Sequence, residues 1–112
     1  MFEITGITQT DLRLTRGDSA TLAIGLTDEN GKEYKLKSGD RLILCAKKSI
    51  SDNAYAIQLQ ADENAQFTFR PSDTANLAYG SYYYDIQLTQ ASGNVYTVIP
   101  LSHIVITEEV AS

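Results

Sequence analysis

Residues 71–97 read PSDTANLAYGSYYYDIQLTQASGNVYT and hold in one run a crossing, a long strand, a hairpin turn and the start of the returning strand. Pro71 has a fixed φ suited to a first helical turn, Ser72, Asp73 and Thr74 can cap its amides, and Leu77 is an apolar anchor. Together they predict one short helical turn near 71–78, which Gly80 ends. From Ser81 the sequence alternates: Tyr82, Tyr84, Ile86 and Leu88 share one face, and Tyr83, Asp85, Gln87 and Thr89 share the other. This is the period of a half-buried strand, so Tyr82 and Tyr84 are expected inside and Tyr83 outside. Ala91-Ser92-Gly93-Asn94 tolerates positive φ, and 95–99 (VYTVI) returns as the antiparallel partner.

The flanking chain supplies further short strands. Leu12 and Leu14 alternate over 11–15, Arg16-Gly17-Asp18 makes a turn, and Ala20, Leu22, Ile24 and Leu26 line one face of 19–27. Asn30-Gly31 signals a hairpin into 33–36 (EYKL), and 37–40 is another turn. Residues 41–47 (RLILCAK) are nearly continuously apolar, as in a central strand covered on both sides or nearly so. In 54–60, Tyr55, Ile57 and Leu59 alternate with small or polar residues; in 65–70, Phe67 and Phe69 point inward. Beyond Pro100, 101–107 (LSHIVIT) closes the sheet. Roughly seven to nine strands spaced about 8 to 12 residues apart, with almost no helix, are the signature of an all-β sandwich or barrel, and the crossing at 71–80, which can carry the chain from one sheet to another, favours an antiparallel β-sandwich. The crossing before a Tyr-rich strand matches the corner before strand F of immunoglobulin-like domains. The expected organisation is an arm or short first strand at 1–10, a sandwich over 11–107 and a tail at 108–112.

At 112 residues the chain has room for one core. With 43% hydrophobic and 21% charged residues it has a globular rather than a disordered composition. Fourteen acidic and nine basic residues give a net charge of −5, which disfavours nucleic acid or an anionic membrane as partner. The lone Cys45 cannot make an internal disulfide. Neither a signal peptide nor a membrane span is readable, so synthesis and assembly in a reducing cytoplasm are expected.

The inventory for chemistry is thin. His103 is the only histidine and falls in a strand, where a structural or interface role is expected. Cys45 sits between Leu44 and Ala46 and reads as a buried, inert thiol. The triplets Asp28-Glu29-Asn30 and Asp62-Glu63-Asn64 lack the spacing of a calcium loop and read as turns. Arg16-Gly17-Asp18 spells an integrin-binding tripeptide but stands where a turn is needed. No catalytic residue, cofactor or metal site is expected. The tyrosines carry more information: Tyr83 is expected outside, beside Tyr96 or Tyr34, and these three are the candidate protein contacts.

Residues 12–20 (LRLTRGDSA), 26–31 (LTDENG), 46–49 (AKKS), 73–77 (DTANL) and 80–86 (GSYYYDI) resemble immunoglobulin-like β-sandwich domains of tailed-phage virion proteins. The likeness spans 12–107 and is nearest to the N-terminal domain of baseplate upper proteins from phages and prophages of Gram-positive bacteria. The resemblance implies a non-enzymatic virion component of tail or baseplate. Such a module docks onto other virion structural proteins and is a homo-oligomer in the assembled particle. Family members often continue into a coiled coil or receptor-binding region. This chain ends soon after its last strand, so a small stand-alone structural protein is expected. The alternative is an accessory module of a bacterial cell-surface protein that binds carbohydrate or a host ligand on Tyr83 and Tyr96.

Overall fold

The computed structural model describes residues 3–5, 11–28 and 30–108, with the backbone alone at 3–5. Of the arm expected at 1–10 and the tail expected at 108–112, all but 3–5 and Glu108 lies outside the described residues. The described chain forms β1 (Glu3–Thr5), β2 (Leu12–Thr15), β3 (Ala20–Ala23), β4 (Gly25–Thr27), β5 (Arg41–Lys47), β6 (Ile57–Gln60) and β7 (Gln66–Phe69). A single helical turn, α1 (Pro71–Thr74), then leads to β8 (Gly80–Thr89) and β9 (Val95–Thr107).

Five strands make one sheet in the order β2-β9-β8-β5-β6. The other layer is built on the run of β3 and β4, interrupted at Ile24, whose amide donates to the Ala65 carbonyl at 3.0 Å. β3 pairs with β7 and β4 with β1, both antiparallel. Side chains from the two layers meet in a core that includes Ile24, Leu26, Phe67 and Phe69 on one side and Leu42, Leu44, Tyr84, Ile86, Leu88 and Ile104 on the other. This is an immunoglobulin-like β-sandwich, antiparallel throughout except where β2 runs parallel to β9, with Leu12 opposite Ile104 and Thr15 opposite Thr107.

The crossing forms for the reasons its residues suggest. Pro71 opens α1, and the Asp73 carboxylate reaches back to accept the Arg70 amide at 2.7 Å. Thr74 is fully buried, and its hydroxyl accepts the Gly17 amide at 2.8 Å, tying α1 to the turn after β2. Two residues into β8, the Tyr82 ring enters the core, and its hydroxyl donates to the Ala78 carbonyl at 2.8 Å. That bond is a tyrosine corner, the device by which sandwich domains pin the chain as it passes from one sheet to the other.

One turn design recurs. Asp28 accepts the amides of Asn30 and Lys32 on its side chain, and Asp62 does the same for Asn64 and Gln66. In both, the fourth residue is left-handed, Gly31 at φ 77° and Ala65 at φ 60°. The two acidic triplets are therefore Asx turns whose leading carboxylates are taken up by backbone amides.

Several expectations need correction. Residues 33–36 form no strand, only a single bridge from Glu33 to Thr27. The Tyr34 amide still donates to the Leu26 carbonyl of β4 at 2.9 Å, but beyond it the segment is tied elsewhere: the Asp40 carboxylate accepts the Lys37 amide and the Tyr34 hydroxyl on one oxygen and the Ala91 amide on the other. In β5 the cover is unequal: Leu42, Leu44 and Ala46 are buried, whereas Ile43, Cys45 and Lys47 on the other face are half-covered. β6 starts at Ile57, because the turn at 49–52 holds the chain away from β5 until the Ala56 amide meets the Ala46 carbonyl at 2.7 Å. Tyr55 is consequently outside the strand and 50% exposed. Pro100 does not separate two strands. β9 runs through it on a bulge, where a missing N–H leaves no ladder bond broken, and Val98 and Ile99 are both buried.

Two changes test this account. Tyr82→Phe removes only the corner hydroxyl and is expected to lower unfolding free energy by about 1 kcal/mol with the fold retained, as read by urea denaturation and circular dichroism. Gly39 has φ 89°, and a Cβ there would stand 2.7 Å from the Ala91 Cβ. Gly39→Ala should therefore cost more than about 2 kcal/mol, combining backbone strain and overlap. Adding Ala91→Gly should recover the overlap part alone. Full recovery in the double variant would show that the backbone at Gly39 is unstrained.

Candidate functional site

The outer face of the five-stranded sheet carries the side chains that alternation turns away from the core: Cys45 and Lys47 from β5, Tyr83, Asp85 and Gln87 from β8, and His103 from β9. Cross-strand register puts Cys45 opposite Asp85, and Tyr83 opposite both Lys47 and His103. The rings of Tyr83 and His103 lie 5.1 Å apart, tilted by 45°. This is a cross-strand aromatic contact on an open surface.

A flat sheet face would give little to bind, and two irregularities make this one concave. The β9 bulge between the partners of Tyr84 and Ile86 displaces Pro100 and Leu101 just where Asp85 needs a neighbour. The buried Ser102 hydroxyl donates to the Pro100 carbonyl at 2.9 Å, which satisfies the carbonyl that the bulge takes out of the ladder. On the other side the 49–55 loop rises beside β5. Lys47 braces it, its ammonium donating to the Asp52 carbonyl at 2.8 Å and standing 5.1 Å over the Tyr55 ring. Between bulge and loop lies a groove of about 240 Å³, with Cys45, Tyr83 and Asp85 at its less exposed floor. Three exposed apolar side chains stand at its rim, Ile50 at 59%, Tyr55 at 50% and Leu101 at 58%, beside the polar Lys47 and Gln87.

The electrostatics of the floor follow from that setting. Burial pushes the Cys45 thiol up, with a weak contact from the Gln58 amide nitrogen at 3.7 Å acting the other way. Cys45 is thus a protonated, half-covered thiol on the sheet surface rather than a core residue. Desolvation alone raises the Asp85 carboxyl, and no hydrogen bond to its oxygens occurs among the described residues. Inside the core, burial pushes the Tyr84 phenol up to about 12, with the Asp11 charge adding to it.

The three candidate contact residues do not come together. Tyr83 lies on the outer face beside His103, not beside Tyr34 or Tyr96. Tyr96 is opposite Leu88 and shares its inward face, packed against the core. Tyr34 is half-buried at the far end, its hydroxyl donating to Asp40 and accepting from the Gln90 side-chain amide at 3.3 Å. Burial first, and Asp40 second, raise the Tyr34 phenol; the hydrogen bonds on Asp40 overcome its own burial and hold that carboxyl down. Tyr34 therefore serves as an internal strut.

His103 gains a carboxylate neighbour that sequence spacing could not reveal. Asp11 accepts the His103 amide at 3.1 Å, and its Oδ1 lies 3.8 Å from Nδ1, with both side chains at least half exposed. Among the described residues no group of three or more His, Cys, Asp and Glu side chains is placed to hold a metal ion. The Arg16-Gly17-Asp18 tripeptide is not displayed as a mobile loop. The Arg16 guanidinium lies 4.1 Å over the Tyr79 ring and donates to its hydroxyl at 2.7 Å and to the Leu77 carbonyl at 3.3 Å. Sequence reasoning also passed over Ile50, Tyr55, Asp85 and Leu101, whose grouping depends on the bulge and the loop.

Asp85 offers a test through pH. Because desolvation raises its folded-state pKa, the ionised carboxylate weakens the fold; the penalty is complete above that pKa and disappears as pH falls below the unfolded value, about 3.9. Asp85→Asn is accordingly expected to be more stable than the parent at neutral pH, with the difference closing near about pH 3. Urea titrations at the two pH values measure it, and a variant less stable at neutral pH would mean that Asp85 has a favourable partner in the fold.

No protein-family model matches the chain, and no curated protein matches it. Among solved structures, the fibronectin(III)-like modules of CbhA from Clostridium thermocellum are similar at 8% identity and a TM-score of 0.48, over 96% of this chain and 98% of theirs. The assignment to an immunoglobulin-like β-sandwich rests on the strand order and the tyrosine corner described above.

Proposed function

We propose that the protein is a non-enzymatic structural component of a phage or prophage virion, part of the tail or baseplate. It acts through protein–protein contacts made by the outer face of the five-stranded sheet. Its partners are other virion structural proteins and further copies of itself, and it is synthesised and assembled in the bacterial cytoplasm. The observation that carries this reading is the set of exposed apolar side chains, Ile50, Tyr55 and Leu101, around a half-buried floor, on a face where sandwich domains otherwise place polar side chains. The resemblance of 12–20, 26–31, 46–49, 73–77 and 80–86 to baseplate domains supplies the setting. A net charge of −5 agrees with a protein partner rather than a nucleic-acid backbone. No helix among the described residues is long and apolar enough to cross a membrane.

The alternative, a surface module reading carbohydrate or a host ligand, needs Tyr83 and Tyr96 as a shared platform. Those side chains lie on opposite faces of the sheet, so that platform does not exist. Prophage induction followed by density purification of particles and peptide mass spectrometry tests the virion role. The protein is expected in the particle fraction at a fixed ratio to the tail proteins; particles that lack it would overturn the proposal.

A further inference from the structure

The groove on the outer sheet face has a chemistry more specific than a generic contact surface. Its rim carries aliphatic and aromatic side chains, and its floor holds one carboxylate, Asp85, with no hydrogen-bond donor on it among the described residues. Lys47, the cationic residue among those lining the groove, is already engaged, its ammonium held by the Asp52 carbonyl and the Tyr55 ring. Across the strand Asp85 faces the Cys45 thiol, which supplies no charge. A half-covered anion in a groove that Tyr55 and Tyr83 also line is complementary to a cation carried on an apolar stem. Arginine fits better than lysine: its planar guanidinium can stack on Tyr55 or Tyr83 while its forked N–H groups take both carboxylate oxygens, and it sheds water more readily.

We infer that this groove is a receptor for an arginine side chain presented by a partner protein, with Asp85 as counter-ion, Tyr55 and Tyr83 as stacking walls, and Ile50 and Leu101 covering the stem. The inference rests on the reading of this face as a protein-contact surface, and it names what the partner must bring. Desolvation, which makes ionised Asp85 unfavourable in the free protein, is offset once a guanidinium docks. The chain's acidic balance adds a long-range attraction for a basic segment.

The test uses the full chain and a defined probe. Nitrogen-15 NMR spectra are recorded while N-acetyl-arginine-methylamide is titrated in, with the citrulline analogue as the isosteric neutral control. Saturable shifts confined to amides around Cys45, Tyr55, Tyr83, Asp85 and Leu101, with a dissociation constant in the millimolar range, are expected for arginine and not for citrulline. Asp85→Asn should weaken binding about tenfold or more, and Tyr55→Ala several-fold. Asp85 holds no bond in the fold and Tyr55 lies outside the strands, so both variants should fold, which their dispersed spectra will show. Shifts scattered over all acidic patches, equal saturation by citrulline, or undiminished binding by Asp85→Asn would overturn the inference. The two proposals fail separately: a saturable site in a protein missing from particles removes the virion role alone, and a particle protein without a saturable site removes the arginine receptor alone.

Discussion

The alternation of β8 is the constraint on which the remaining structure depends. A regular strand turns successive side chains to opposite faces, so once Tyr82 is anchored by its hydroxyl at the Ala78 carbonyl, Tyr84, Ile86 and Leu88 fill the interior and Tyr83, Asp85 and Gln87 face out. β5 and β9 lie on either side of it, and their registers follow from its own. The same rule that builds the core therefore also lays out the candidate contact face. A shift of one residue would exchange the two, placing the Asp85 carboxylate in the core and leaving Ile86 and Leu88 in water.

Much of this was readable from residue order, because period-2 patterns, Gly and Asn at turns, and Pro71 at a helix start are local signals. The strands of Phe67 and Phe69, of 80–89 and of 41–47 stand where their patterns put them. The failures arise where side-chain bonds, a bulge or a tight turn override the alternation of the residues themselves. Residues 33–36 look like a hairpin return, yet beyond the Tyr34 amide the segment is tied to Asp40, which also accepts the Ala91 amide 51 residues away. Pro100 looks like a strand end, yet a bulge accommodates it, and no local pattern signals a bulge in a strand rich in β-branched residues. Tyr55 fits the alternation of 55–59 and still falls outside, because loop closure at 49–52 fixes where pairing starts.

The candidate site was less legible than the fold for the same reason. Tyr83 was identifiable from alternation, whereas its assumed neighbours were not: register pairs it with His103, and Tyr96 turns inward with Leu88. Asp85 looked like one polar residue among several on the solvent side of a strand. What singles it out is the surrounding relief, a displaced Leu101 on one flank and a lysine-braced loop on the other. Neither flank is a property of β8 itself.

The parallel pairing of β2 with β9 also bears on how the molecule comes into being. The Thr15 and Thr107 hydroxyls that meet across this pair are 92 residues apart. Such a contact closes a far longer loop than the β5–β6 and β8–β9 hairpins do, and so carries a larger entropic cost. During synthesis Leu12 and Leu14 leave the ribosome early and wait, without their eventual partners, until Ile104 and Ile106 have been made. Closure of the large sheet on this side therefore waits on the final strand: β2 cannot take its place beside β9 until residues 104–107 have been made.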